Sequence, residues 1–283
     1  MKRFCVLAIL LVMVIVIPKS VFANTYTNNN GVTMTQEQYS NLLKIYSEKY
    51  ISVMDQDKFD QVMSMNLDYN NVQEKIMYIK TDYNHMTDQV SSTEISKEEY
   101  DAASENNNSR AAVFETSYKR ISLYLSQTDT NYAFFTFSAL WKIMPAVRSF
   151  DVIGVRLSRL RVVNATQGGR QIYDLNGVTD YVQYNWNGTN ISNQSLGYGI
   201  SMNLVNSNIT YLECTTDATM ILEAYPAGLF ASYQHAVDDI TLATSKNYTI
   251  GPLGLGDVFE FASGVGTHYD GMQGVYEYLS SAS

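Results

Sequence analysis

Cysteine is nearly missing from this 283-residue sequence: Cys5 and Cys214 are the only two. Cys5 lies in an N-terminal segment expected to be removed, so no intramolecular disulfide is expected and the fold must rely on a packed core. Cys214 alternates in phase with Leu212 inside 209–215 (ITYLECT), the position of a buried, inert thiol. No histidine stands near it in sequence and no nucleophile signature surrounds it. A Gly-x-Ser-x-Gly motif is lacking, and so is an Asp-x-Asp-x-Asp-Gly calcium loop. The glycines of 251–256 (GPLGLG) lack the Gly-Lys-Ser/Thr ending of a phosphate loop and read as a turn between strands. Positive charge is scarce as well. Nineteen Lys and Arg face 28 Asp and Glu, a net −9, which repels phosphate and argues against nucleic acid as the main partner.

The N-terminus is the clearest positive signal. Lys2 and Arg3 precede an unbroken apolar run at 4–17, and Pro18 ends it. Val21 and Ala23 then put small side chains at −3 and −1 of a cut before Asn24. That order is the one a cleavable signal peptide has, and the run is shorter than the roughly 20 residues a spanning helix needs. Cleavage leaves 260 residues and removes three positive charges (Lys2, Arg3, Lys19), taking the net charge from −9 to −12. No cysteine adjoins the cut and 278–283 (YLSSAS) has no apolar tail. The expectation is a secreted, extracellular protein without a transmembrane segment after signal cleavage, released or loosely associated with the cell surface.

Residues 24–33 are polar and Asn-rich and read as a flexible leader. A helical module follows over 34–83. Thr35 and Gln38 form a capping box, and Tyr39, Leu42, Leu43 and Tyr46 keep the spacing of one helix face. Asp55 caps a second helix with Phe59, Val62 and Met63 as its contacts, and Ile51, Val53 and Met54 pack between the two. The stretch 72–80 fits a strand or a helix. Residues 84–112 read as a polar linker, with a short helix near 96–103.

From 113 to 283 the period becomes two. Ile121, Leu123 and Leu125 share a face; so do Phe135, Phe137, Ala139, Trp141 and Ile143, then Ile153, Val155 and Leu157, then Tyr198, Ile200, Met202 and Leu204. Met220 with Leu222, Ile240 with Leu242, Tyr248 with Ile250, and Phe259 with Phe261 read as further strands, with turns at 168–169, 176–177 and 187–188. Many short strands with no long helix between them predict a mainly β fold: a β-sandwich or jelly-roll-like domain behind a small α-helical module.

Candidate site residues come from two clusters. Tyr173, Tyr181, Tyr184 and Trp186 sit in an Asn/Gly-rich stretch, where exposed rings stack on sugars and amides bond hydroxyls; the alternative is that they are core or strand-pair residues. Residues 142–170 hold six basic residues against Asp151 alone. Arg156, Arg159 and Arg161 among them suit an anionic polymer if they form one patch, or ordinary ion pairs on an outer sheet face if they do not. His85 sits in the polar linker. His235 precedes Asp238 and Asp239, and His268 precedes Asp270, so a base or metal site is conceivable; the spacing shows no convergent ligand set, and Asp238, Asp239 and Asp257 form no calcium loop. No catalytic residue, metal site or cofactor is assigned.

Residues 34–43 (MTQEQYSNLL) with Met54 and Phe59, then 141–154 (WKIMPAVRSFDVIG), 232–236 (SYQHA) and Tyr269-Asp270, resemble secreted proteins of Gram-positive bacteria. Such proteins pair a short N-terminal helical module with a C-terminal β domain. The resemblance implies export and a β domain, and it carries over no function and no catalytic residue. The expected function is therefore a non-enzymatic extracellular or cell-surface binding protein, for a glycan or an anionic cell-wall polymer, of unspecified oligomeric state. The alternatives are a secreted hydrolase, which requires a cleft where His235 or His268 meets carboxylates, and a membrane-active, toxin-like protein.

Overall fold

The computed structural model describes residues 25–84, 86–87, 89–103, 114–128, 131–252, 257–272 and 274–280. The expected signal segment 1–23 with Asn24, His85, the end of the expected linker and most of 251–256 lie outside them.

Polar side chains start the fold. A hairpin of β1 (Thr25–Thr27) and β2 (Thr33–Thr35) leads into α1 (Gln36–Leu42), α2 (Glu48–Ser52) and α3 (Gln56–Ser64). The leader is thus structured, and Asn28 is the reason. Its buried amide donates to the Ile51 and Met54 carbonyls at 2.9 and 2.7 Å and accepts from the Asn30 and Val32 N–H groups. Thr35 and Gln38 make the expected capping box, and Asp55 accepts from the Lys58 N–H at 2.8 Å. A further cap at Ser47 starts α2, so the expected pair of helices is three short helices.

The ambiguous stretch is a long strand, β3 (Gln73–Asn84), and the expected linker contains β4 (Gln89–Ile95) and α4 (Lys97–Ala102). β4 pairs only with β3 at the edge of a sheet, where polar side chains are tolerated; that is why its composition reads as a linker. β5 (Phe114–Gln127), β6 (Tyr132–Ile143), β7 (Phe150–Ser158), β8 (Leu160–Val162), β9 (Gly168–Leu175) and β10 (Val178–Asn185) follow. Asn176 and Gly177, with φ of 54° and 80°, make the two-residue turn between β9 and β10. Gly168 and Gly169 instead open β9. A Cβ on Gly169 would lie 2.7–2.8 Å from Met202 and Ile200 of the facing sheet, so close sheet approach requires the glycine.

β11 (Ile191–Gln194), β12 (Gly197–Asn203), β13 (Ile209–Leu222) and β14 (Ala227–Gln234) continue the chain. The expected strand at Ile240 and Leu242 is a one-turn helix, α5 (Leu242–Ser245), because the Thr241 hydroxyl caps it by accepting from the Thr244 N–H. β15 (Tyr248–Ile250), β16 (Phe259–Phe261) and β17 (Val275–Leu279) complete it.

Eight strands form a large antiparallel sheet in the order β10-β9-β13-β6-β5-β3-β4, with β8 also on β13. Five form a smaller one, β11-β12-β7-β14-β17. One hydrophobic cluster joins their inner faces: Leu123, Phe137, Leu212 and Cys214 from the large sheet meet Val155, Ile200 and Leu229 from the small one. The three helices cover the outer face of the large sheet, where Leu42, Tyr50 and Val62 pack with Phe134 and Ile172. The β15–β16 hairpin covers part of the small sheet's outer face, around Val152 and Phe259. Among the described residues, no helix is long and apolar enough to cross a membrane.

Candidate functional site

β13 carries the residues from which the site is built. Leu212, Cys214, Ala218 and Met220 face the shared core. Glu213, Thr215 and Asp217, on the opposite side, are buried only because the helices lie over them. The Glu213 carboxylate accepts from the Ser47 hydroxyl at 2.5 Å and the Tyr211 hydroxyl at 2.7 Å. Burial pushes its pKa up, and those two hydrogen bonds partly offset the rise. Asp217 accepts from the Tyr46 and Tyr50 hydroxyls at 3.2 and 3.3 Å and pairs with Lys58. The two tyrosine rings are stacked at 4.2 Å. Burial beside that carboxylate holds both phenols well above their ordinary pKa. Arg170 pairs with Asp55, bonds Gln183 and the Val53 carbonyl, and lies 4.7 Å from the Tyr181 ring centroid.

This junction leaves a cleft of about 280 Å³ between α3 and the β9–β10 end of the sheet. Trp186, in the turn after β10, is 41% exposed and lines it. Gln61, Gln183 and Asn185 supply amides, and Asp57 a carboxylate. Gln167, also in the wall, is buried; its Nε2 donates to Asn193, while its Oε1 has no partner. Ala165, another lining residue, holds a left-handed φ of 67°, which a non-glycine residue adopts at a cost and which recurs at binding sites. A second cleft of about 290 Å³ opens at the other end of the stripe, where Glu213 and Thr215 line it with Arg120.

No protein-family model and no curated protein matches this chain. Its function has to be read from the geometry alone.

The aromatic candidates divide between faces. Tyr184 is buried, its hydroxyl accepting from Gln171, and Tyr173 packs against the same inner core. Tyr181 lies on the helix side under Arg170, and Trp186 alone among the four is exposed. The arginines do not form one patch. Arg156 is buried over Phe230 at 4.5 Å and donates to the Pro252 and Asp257 carbonyls. Arg159 donates to the Tyr225 carbonyl, and Arg161 pairs with Glu223 at the surface.

Both described histidines meet carboxylates. His268 Nδ1 lies 2.8 Å from Asp238 at the surface. His235 Nδ1 lies 3.0 Å from Asp151, which also accepts from the Tyr233 hydroxyl and the Ala236 N–H. Three donors around one carboxylate orient the imidazole much as a catalytic aspartate would. The adjoining cavity, however, is about 10 Å³, room for one water at most and none for a substrate. Lys119 and Asp270 form a buried ion pair beside it, with the lysine 4.9 Å from the Trp141 ring centroid. Among the described residues, no three metal-ligating side chains converge. Asp239 bonds Ser149 and Asp257 accepts from Gln234, so the candidate calcium aspartates serve separate local contacts.

Sequence reasoning missed Gln167, Arg120 and the Glu213–Thr215–Asp217 stripe. Polar residues out of phase with a core face read as solvent-exposed, and only the docked helices bury these. It also missed an aromatic patch on edge strand β17, where Tyr276 and Tyr278 stand exposed with ring centroids 5.6 and 5.9 Å from Phe230. The alternation of 276 and 278 was the available signal.

Proposed function

We propose that the protein is a secreted, non-enzymatic saccharide-binding protein, and that the Trp186 cleft takes one sugar unit of a glycan or cell-wall polymer. We read its two facing sheets as a β-sandwich, jelly-roll-like in outline, that carries this cleft on one outer face. The observation that carries the proposal is an exposed tryptophan beside a cleft walled by amides, carboxylates and one unpartnered acceptor. An indole offers a flat apolar face to the C–H side of a sugar ring, while hydroxyls bond the amides and carboxylates around it. Charge balance favours an uncharged sugar over an anionic polymer. Lys58 and Arg170 are already paired with Asp217 and Asp55, and Asp57 adds negative charge.

Intrinsic fluorescence tests this directly, because the chain has two tryptophans and Trp141 is only 2% exposed. Uncharged cell-wall oligosaccharides should shift the emission and protect Trp186 from iodide quenching. Trp186→Ala should abolish the response and weaken binding at least about tenfold, the loss expected of a stacked, desolvated aromatic contact. An unchanged emission across a broad oligosaccharide panel would sink the proposal.

A further inference from the structure

The second cleft has a floor of hydroxyls. Ser122, Ser138 and Thr215 are direct cross-strand partners on β5, β6 and β13. All three project to the helix side, out of phase with the core residues Leu123, Ala139 and Cys214. Ser138 and Thr215 line the cleft; Thr215 is 2% exposed and its hydroxyl has no hydrogen-bond partner, whereas the buried Ser122, outside the lining, bonds the Tyr124 hydroxyl. One register step along, Arg120 and Glu213 stand on either side of Leu140. Arg120 makes no hydrogen bond or ion pair with any described residue, and its Nε is buried without a partner. Its charge acts on Glu213 from a distance. The helical module closes the cleft with Leu43, Ile45 and Glu48.

Two buried polar atoms without partners on one cavity's lining residues, Thr215 Oγ1 and Arg120 Nε, are a departure, since buried polar atoms are nearly always satisfied. Water can serve them while the cleft is empty, and a ligand that displaces the water must offer the same hydrogen bonds. The wall states what that ligand is. Arg120 disfavours a cation, and Glu48 with Glu213 disfavour an anion. Hydroxyl groups, which donate and accept at once, complement a guanidinium, two carboxyls and a row of side-chain hydroxyls together. The Glu213 carboxyl oxygens can accept from such a hydroxyl, as they already do from Ser47 and Tyr211. The exposed Leu43 and the Tyr124 ring give the apolar faces of such a ligand a surface.

We propose that this cleft is a second binding site for an uncharged saccharide unit, with Arg120 and Thr215 as its principal contacts. The choice of ligand class rests on the reading of the protein as a saccharide binder, but the site itself does not depend on Trp186. Two separate clefts on one small protein would let it hold two units of a polymer, or two chains, at once.

Calorimetric titration of the full chain with cellobiose, maltose and diacetylchitobiose, with tryptophan emission followed in parallel, tests the proposal. For a sugar that binds, two sites are expected. Arg120→Ala and the near-isosteric Thr215→Val should each weaken one site at least about tenfold and leave the Trp186 response intact. Thermal melting confirms that both variants fold, and Thr215→Val keeps the β-branched shape if Arg120→Ala does not. Isotherms unchanged in Arg120→Ala and Thr215→Val overturn the second site and leave the Trp186 reading standing. Heat that depends on Arg120 with a silent Trp186 supports the second site and overturns the first. No binding of any of the three sugars overturns both.

Discussion

The protein buries polar side chains in two places, and the two are built differently. Between the sheets, Asp151, Tyr233, His235, Lys119 and Asp270 bond one another and enclose almost no space. On the outer face of the large sheet, Glu213 and Asp217 are also tied up, but Thr215, Gln167 and Arg120 keep atoms without partners, and two clefts lie alongside. A buried charge alone is therefore a poor guide to a binding site. Unmet hydrogen bonds beside open volume are a better one. The Asp151–His235 pair shows the point from the other side: its orientation suits catalysis, and its surroundings leave no room for a substrate.

Mutations can break this contrast, and the inner network should give the largest effect. Lys119→Met strands a fully buried Asp270 carboxylate and should cost roughly 3–5 kcal/mol in urea unfolding. Lys119→Met with Asp270→Asn should recover a large part of that, because the amide oxygen still accepts from the His235 N–H. An additive loss in the double variant would show that the pair does not act as a unit.

Asp217→Asn should come next. It removes the charge that Lys58 and two tyrosine hydroxyls share, at a cost of about 2 kcal/mol. Limited proteolysis should then cut within 36–64 before the sheets open. Equal protection of both regions would contradict a junction held by this carboxylate.

The pH response should come from carboxyls raised by burial. Asp257 is pushed up to about 6. Between its ordinary value near 3.8 and about 6, the folded chain holds a proton that the unfolded chain releases, so stability falls as pH rises across that window. Glu213 acts in the same sense above its ordinary 4.5. Chemical denaturation from pH 4 to 7 should show this decline, and Asp257→Asn should flatten it; an undiminished slope would remove Asp257 as its source.

The smallest expected effect is the sharpest comparison. Thr136 and Thr215 lie on the same outer face, but the Thr136 hydroxyl donates to the Ile45 carbonyl at 2.8 Å and the Thr215 hydroxyl to nothing. Thr136→Val should cost about 1 kcal/mol and Thr215→Val close to nothing, measured by thermal melting. A large loss at Thr215 would mean that its hydroxyl has a structural partner.

Local signals in the sequence carried most of the scaffold. The Thr35–Gln38 box, the Asp55 cap, the Asn176–Gly177 turn and the alternation in β5, β6, β7 and β12 each depend on neighbours within a few residues. Asn28 was illegible because its partners, Ile51 and Met54, lie over 20 residues away. β4 looked like a linker because an edge strand has no need of apolar residues. The candidate site was the least legible part. Trp186 stood out as an aromatic among amides, but nothing local marks Thr215 as buried. Its burial is a property of a module that starts far away in the chain.

That distance bears on how the protein matures. Ser47 meets Glu213 across 166 residues of chain, and Tyr46 meets Asp217 across 171. Contacts of such long range form late, after the intervening strands have paired and shortened the loop to be closed. The helices, made first in a chain synthesised from its N-terminus, must wait for β13 before they have a surface to dock on. Ligand binding at either cleft would thus begin only at the last stage of folding, and sugar-dependent fluorescence during refolding would time that stage.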